Sequence, residues 1–199
     1  MRRPEWFSPW PGWQMRFVPN GHINGSAAIQ IITPFGVKIM VSIDMCFEDQ
    51  PTIKGADLKR QDFAPDVLIV EGTYGDRDLP PRVAEEEKFT DRVKQVLSRS
   101  GFAIVPAFAI SGVNIGIISA KAGIPTCIDG MIRKAAFIVN ESYPPWSNND
   151  RPFEFPENLM MVNSRYRDRI LFGKPCAIVT THGMLERNSP VWAYLPSIL

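Results

Sequence analysis

A histidine and an aspartate in the first quarter of the chain carry the chemistry of a metal site. His22 lies between two glycines in GHINGSA, directly before a predicted strand, and Asp44 ends the apolar run IMVSID. Glycines let the backbone turn tightly, so the imidazole can point into a cleft. An imidazole and a carboxylate at one edge of a sheet are suitable ligands for zinc or manganese. Taken alone, each residue is explained at least as well by a structural role in a turn or cap.

Two further loops follow apolar strands and carry polar side chains. Glu71 lies in VEGTYGD, after the run DVLIV, where a parallel sheet places its ligand-facing loops. Its carboxylate could orient a ligand or a catalytic histidine, or it could simply cap the turn. Thr181, His182 and Gly183 lie in TTHGML, whose hydroxyls and amides could hold a phosphate. An ordinary strand-to-loop turn explains this second segment equally well.

A cluster of cationic side chains around one tyrosine lies late in the chain. Its members are Arg165, Tyr166, Arg167, Arg169 and Lys174. Cations suit phosphate contacts and a tyrosine ring suits base stacking, so the cluster is a candidate nucleic-acid contact. Asp168 interrupts the cluster, and a solvated helix face is the alternative interpretation.

Composition excludes several classes of protein. Lys and Arg number 22 against 21 Asp and Glu, so the net charge is +1 and any affinity for nucleic acid must come from a local patch. The three cysteines form no CxxC pair, which argues against a disulfide framework and favours a reducing, cytoplasmic location. The apolar runs are shorter than the roughly 18 residues of a membrane helix. The motifs GxGxxG, GxxxxGK[ST], HExxH and GxSxG are absent from the sequence.

The order of predicted elements indicates an α/β fold. A hairpin around residues 35–36 and a strand at 66–70 come first. The second part alternates helices and strands in this order: a helix at 82–99, a strand at 102–108, a helix at 113–122, a strand at 125–128, a helix at 131–140, a short helix at 165–171 and a strand at 176–180. Strands that alternate with helices predict a parallel sheet in this second part.

Seven segments resemble, in the same order, motifs of the metallo-β-lactamase-fold nucleases with a β-CASP domain, a group that includes ribonuclease J and the pre-mRNA 3′-end endonuclease subunit. They are GHINGSA, MVSID, DVLIVEGTYGDR, EEEKF, IVPAFA, IDGMIRKA and IVTTHGML. Together they extend from about Phe17 to Tyr194, nearly the whole chain.

This resemblance implies a role for each early candidate. His22 would be a ligand of one metal ion, Asp44 would bridge two ions, and Glu71 would be the acid that orients the site. The family implies two zinc ions, a bridging hydroxide that attacks phosphorus, and RNA or another single-stranded nucleic acid as substrate.

The sequence departs from the family pattern at several points. The motif HxHxDH belongs upstream of GHxxGSA, yet none of the 21 residues before His22 is a histidine. The family's late histidines, which assist at the scissile phosphate, belong after the motif SGML, and no histidine follows it here. Within that motif, His182 replaces the usual serine. Residues 111–115 lack the Arg, Gln and Glu of GRxQE. With two histidines in all, the chain cannot fill a dinuclear site alone.

We therefore expect the central part of such a protein. Residues 1–76 would form part of an αββα lactamase sandwich, and residues 77–199 an incomplete β-CASP domain, with an RNA-binding cleft between them. The leading hypothesis is a zinc-dependent ribonuclease that binds zinc only weakly in this chain. A catalytically inactive nucleic-acid-binding or scaffolding relative is the alternative. A small-molecule hydrolase is third, because such an enzyme does not need the inserted domain.

Overall fold

The computed structural model describes residues 5–57, 63–141 and 154–195. They divide into two compact units, the first ending at Asp78 and the second beginning at Leu79. Each unit contains one four-stranded sheet. Among the described residues, no helix has both the length and the apolarity to cross a membrane.

The first unit is built on the sheet β1-β2-β3-β4. Its strands are β1 (Gln14–Pro19), β2 (Ala27–Ile32), β3 (Lys38–Val41) and β4 (Val67–Ile69). The hairpin between β2 and β3 turns at Gly36, whose φ of 82° lies in the left-handed region that glycine adopts without strain. Strand β4 then joins β3 in parallel, so the chain after β3 and the chain after β4 leave the same edge of the sheet.

The two faces of this sheet differ in burial. Val18, Ala28 and Met40 point to one side and are buried. On the other side Phe17, Ile29, Val41 and Ile69 form one row across the four strands and are only partly buried or exposed. Alternation of buried and open positions is the expected pattern of a sheet with one covered face.

The second unit is a parallel sheet flanked by helices. Its elements are α1 (Arg82–Leu97), β5 (Ala103–Pro106), α2 (Ala109–Lys121), β6 (Thr126–Asp129), α3 (Met131–Glu141), β7 (Leu159–Met161), α4 (Arg167–Ile170) and β8 (Ala177–Thr180). The strand order is β5-β8-β6-β7, and every pairing is parallel. This confirms the mixed α/β class with a parallel sheet. The sandwich architecture of the first unit stays a prediction.

Two glycines allow α2 to pack closely on its neighbours. A Cβ atom at Gly112 would lie 2.4 Å from Cδ1 of Ile132 on α3, and one at Gly116 would lie 2.8 Å from Cγ2 of Ile128 on β6. Both isoleucines are fully buried, so neither can move aside without disturbing the core. Helix α2 begins at Ala109, four residues earlier than the sequence pattern predicted, because Ser111 and Gly112 belong to its first turn.

The short helix predicted at 165–171 is a composite. Ser164–Tyr166 form a 3₁₀ turn that continues into the single turn of α4. Asn163 begins this segment, since its side chain accepts a hydrogen bond from the backbone N–H of Arg165 at 3.1 Å.

Candidate functional site

The structure brings His22 and Asp44 together at one edge of the first sheet. His22 Nε2 lies 3.7 Å from Asp44 Oδ2, and the two side chains are 43% and 61% exposed. His22 follows β1 and Asp44 follows β3. These two strands flank β2 and run in the same direction, so both donors lie beyond strand ends at the same edge of the sheet. Zinc–ligand distances are about 2.0–2.2 Å, so two donor atoms at this separation can contact a single ion.

Close backbone contacts around Gly21 bring the two residues into this position. A Cβ atom at Gly21 would lie 2.1 Å from the carbonyl oxygen of Cys46 and 2.6 Å from the nitrogen of Ala56. Gly21 also has a φ of 72°. Only glycine meets both requirements, and the glycine before His22 therefore sets the distance between the His22 segment and the segment that follows Asp44.

Two polar side chains that the sequence does not reveal hold the backbone of this site. Gln50 Nε2 donates to the carbonyl oxygens of Gly21 and His22, each at 2.8 Å. Asn20, which is fully buried, donates from Nδ2 to the carbonyl oxygen of Asp44 at 2.8 Å. Asn20 stands directly before the GH pair, a position that could have drawn attention to it. Gln50 is distant in sequence and gives no such signal.

Glu71 lies just beyond β4, and hydrogen bonds favour the ionised form of its carboxyl group. Its Oε2 accepts a hydrogen bond from the Thr73 backbone N–H at 2.7 Å. The backbone and side-chain hydrogen bonds from Thr73 lower the pKa of Glu71, and the charge of His22 lowers it further, whereas desolvation acts in the opposite direction. The Glu71 backbone N–H donates to Ser42 Oγ at 3.2 Å, which ties this loop to the end of β3.

The donor set fits a metal ion in part. Within the described residues, no group of three or more His, Cys, Asp or Glu side chains is close enough to hold an ion. His22 and Asp44 can therefore supply two ligands to one ion, and a tetrahedral zinc site needs two more.

The segment around His182 has a largely structural role in the second unit. Thr181 is buried, and its Oγ1 accepts a hydrogen bond from the backbone N–H of Met131 at the start of α3. This contact gives the Thr181 hydroxyl a structural role, and its contact with a phosphate stays a prediction. His182 Nδ1 accepts from the Met184 N–H at 3.3 Å, and its ring packs edge-on against Phe108. A Cβ atom at Gly183 would lie 3.1 Å from the Phe108 nitrogen, which explains the glycine.

An open cavity of about 290 Å³ adjoins this segment. It is lined by Gly130, Met131, Lys134, Thr181, His182, Ser189 and Pro190. Lys134 supplies its cation.

Arg167 of the cationic cluster pairs with a buried carboxylate. Its guanidinium binds the carboxylate of Asp129 through Nε at 2.6 Å and through Nη2 at 3.2 Å. Asp129 is fully buried and also accepts a hydrogen bond from the Tyr194 hydroxyl at 2.9 Å. The hydrogen bond to Asp129 raises the pKa of Arg167, and burial raises the pKa of Tyr194. Arg167 thus neutralises a buried charge, and its contact with nucleic acid stays a prediction.

The remaining cations of the cluster are exposed. Arg165, Arg169 and Lys174 all face solvent. The guanidinium carbon of Arg169 lies 5.0 Å from the centre of the Tyr166 ring, an arrangement typical of a cation–π contact. These four side chains are exposed members of the predicted nucleic-acid surface.

Comparison with known proteins identifies the family. No family model matches the chain. Over 184 residues it is 32% identical to the probable RNase MJ4 of Methanocaldococcus jannaschii, an alignment that covers 88% of this chain and 42% of that protein. It is 31% identical to the transcription termination factor FttA of Methanococcus maripaludis, over 86% of this chain and 30% of the factor. The chain belongs to the β-CASP family of the metallo-β-lactamase fold.

A eukaryotic β-CASP relative aligns over a similar part of the chain. Subunit 3 of the cleavage and polyadenylation specificity factor from Dictyostelium discoideum is 29% identical over 83% of this chain and 23% of the subunit. The chain thus spans less than half the length of these three β-CASP relatives. Among solved structures, a protein of unknown function from Enterococcus faecalis V583 aligns with a TM-score of 0.54 at 13% identity, over 93% of this chain and 45% of that one. That likeness concerns the fold alone.

Proposed function

We propose that this chain forms part of a zinc-dependent ribonuclease, in which the first unit supplies metal ligands and the second contacts single-stranded RNA. The observation that carries the proposal is the 3.7 Å separation of His22 Nε2 and Asp44 Oδ2 at one edge of the first sheet. Family membership supports a nuclease, and the name RNase MJ4 of one relative supports RNA as the substrate.

Each polar residue of the first unit has a separate task in this proposal. Bound zinc would supply a Lewis acid and an activated water at the phosphodiester. His22 and Asp44 would hold one ion together, and Asp44 would also be the residue that holds a second ion. Glu71, kept ionised by Thr73, would accept a hydrogen bond from the ligand shell and so orient it.

The second unit would provide the electrostatic contact with RNA. Arg165, Arg169 and Lys174 are exposed cations, Tyr166 is exposed in the same segment, and Arg169 lies over its ring. Such cations bind phosphates without reading sequence, and an aromatic ring stacks on any base. A net charge of only +1 means that this local group, rather than the whole molecule, must attract the strand.

A non-catalytic nucleic-acid-binding role is the second candidate. It is favoured by the donor set, since no group of three potential ligands comes together among the described residues. A zinc ion held by two side chains would leave the chain slowly active or inactive.

Three assays on the whole chain separate the candidates: anisotropy with a labelled single-stranded RNA, cleavage of that RNA with added zinc, and hydrolysis of a chromogenic β-lactam. We expect RNA binding, slow zinc-dependent cleavage that Asp44→Asn abolishes without weakening RNA binding, and no β-lactam turnover. RNA binding with cleavage equal in the wild type and Asp44→Asn would contradict the ribonuclease and favour the non-catalytic role. β-Lactam turnover without RNA binding would favour a small-molecule hydrolase.

A further inference from the structure

We infer that Asn20 is a positioning residue of the proposed metal site, because its side chain joins the backbone of His22 to the backbone of Asp44. This inference rests on the function proposed above and concerns the same site. Nδ2 of Asn20 donates to the carbonyl oxygen of Asp44 at 2.8 Å and approaches that of Ser42 at 3.4 Å. Oδ1 of Asn20 accepts a hydrogen bond from the backbone N–H of His22 at 3.3 Å.

One fully buried amide therefore contacts both of the residues that approach each other in the site. His22 and Asp44 lie in loops beyond their strands, where the sheet itself no longer fixes the backbone. A functional side chain must stay within about 0.5 Å of its working position, which loops achieve only through such supporting contacts. Asn20 provides one support that is common to both loops.

Other hydrogen bonds hold each side of the site, but none of those described here joins His22 to Asp44 as the Asn20 side chain does. The carbonyl oxygen of Asn20 accepts a hydrogen bond from the Cys46 N–H at 3.0 Å, so main chain and side chain of this residue both bind the segment after β3. Gln50 holds the carbonyl oxygens of Gly21 and His22, which fixes the histidine side of the site. The Asn20 side chain connects that side to Asp44.

The consequence is a measurable contribution to metal affinity. If the two ligands are held together before the ion arrives, binding need not order them, and removal of the support weakens binding. Residues that support metal ligands from behind typically change affinity by about 10- to 100-fold. We expect a weakening of that size in Asn20→Ala, even though Asn20 itself touches no ion.

The experiment is a zinc titration by calorimetry on the wild-type chain, Asn20→Ala and the control Asn24→Ala. Asn24 lies in the same GHINGSA segment, and neither polar atom of its side chain has a hydrogen-bond partner in the structure. All titrations are run well below the melting temperature of each metal-free protein, so that affinity is measured on folded molecules. We expect zinc binding about 10- to 100-fold weaker in Asn20→Ala and within about twofold of the wild type in Asn24→Ala.

Equal zinc affinity in folded Asn20→Ala and the wild type would overturn the inference and leave the proposed ribonuclease intact. Absence of zinc binding in the wild type would overturn the proposed site and the positioning role with it. Amide hydrogen exchange on the metal-free wild type tests the same contact should the variant fail to fold. The His22 N–H is expected to be protected by its buried acceptor, and exchange at the rate of an unstructured amide would overturn the inference.

Discussion

The buried carboxylate of Asp129 pairs with Arg167 and so distinguishes this arginine from its exposed neighbours. It is fully buried and binds both the guanidinium of Arg167 and the hydroxyl of Tyr194. Arg167 therefore pairs with Asp129 and is only partly exposed, whereas Arg165 and Arg169 in the same short segment are exposed. Arg165 and Arg169 present the more accessible charges of this segment.

Removal of Arg167 should cost far more stability than removal of its exposed neighbour. Arg167→Ala leaves the Asp129 carboxylate buried without its cation, and breaking such a pair costs about 3–5 kcal/mol. Arg169→Ala, the matched control, should change the free energy of unfolding by about 0.5 kcal/mol or less. Urea denaturation measures both variants. Equal effects would show that the ion pair to Asp129 is not structurally important.

The lowered pKa of Glu71 should depend on the hydrogen bonds from Thr73. Because hydrogen bonds from Thr73 lower the pKa of Glu71, the ionised carboxylate stabilises this loop above its unfolded pKa. That contribution is lost as the pH falls through the lowered, folded pKa. Thr73→Val removes the side-chain donor and keeps the backbone donor, so the pKa of Glu71 should rise part of the way towards its ordinary value. A carbon-detected NMR titration of the Glu71 carboxyl group measures this, and an unchanged midpoint would contradict the assignment.

At the scale of elements, burial in the first sheet depends on the strand as well as on the face. Met40 on β3 is 4% exposed, whereas on β4 both Leu68, its partner on the same side, and Ile69 on the other side are more than half exposed. Met40 and Ile69 are both apolar, but they contribute very differently to stability, since apolar area stabilises the fold only when it is buried.

Truncation of Met40 and of Ile69 should have very different effects on stability, because Met40 is buried and Ile69 on β4 is exposed. Met40→Ala should lower the free energy of unfolding by about 2–5 kcal/mol through lost burial and a residual cavity. Ile69→Ala should change it by about 0.5 kcal/mol or less, because the side chain already contacts water. Chemical denaturation of both variants provides the comparison. A large loss from Ile69→Ala would mean that another layer covers this face in solution.

The segment that contains Arg165 and Arg169 should respond to salt as an RNA contact. Each neutralised phosphate contributes a slope of about −0.7 to log affinity against log salt for single strands. Arg165→Glu with Arg169→Glu should flatten that slope by one unit or more and leave stability almost unchanged, since both side chains are exposed. Fluorescence anisotropy with a labelled RNA over a salt series measures the slope. An unchanged slope would remove this surface from the proposed function.

The sequence predicts elements better than it predicts their ends or their side-chain partners. The order of strands and helices in the second unit follows from hydrophobic periodicity, and the Gly36 hairpin follows from its turn residues. The start of α2 was missed because Gly112 resembles a helix breaker, although the structure uses it for close packing against Ile132. The Arg167–Asp129 pair joins residues 38 positions apart, and local patterns contain no information about such a contact.

At the scale of the whole molecule, the candidate site depends on residues from separate strands of the first unit. His22 and Asp44 could be predicted from motif resemblance, since each stands in a recognisable segment. Of their supports, Asn20 is marked only by its position directly before the GH pair, and Gln50 gives no signal, because hydrogen bonds from a side chain to the backbone leave no periodic pattern. The chain spans less than half the length of the β-CASP relatives compared here, and the alignments concern only that part of each relative.

Anomalous X-ray diffraction at the zinc edge from zinc-soaked crystals of the chain tests the central claim most directly. Because donor atoms 3.7 Å apart can share one ion, the account predicts an anomalous peak about 2.0–2.2 Å from both His22 Nε2 and Asp44 Oδ2. The peak should be absent from crystals of Asp44→Asn and present in those of Asp76→Asn, a control carboxylate that pairs with exposed Arg77 in the same unit. Zinc found only elsewhere, or a peak at His22 that persists in Asp44→Asn, would contradict a site shared by these two residues.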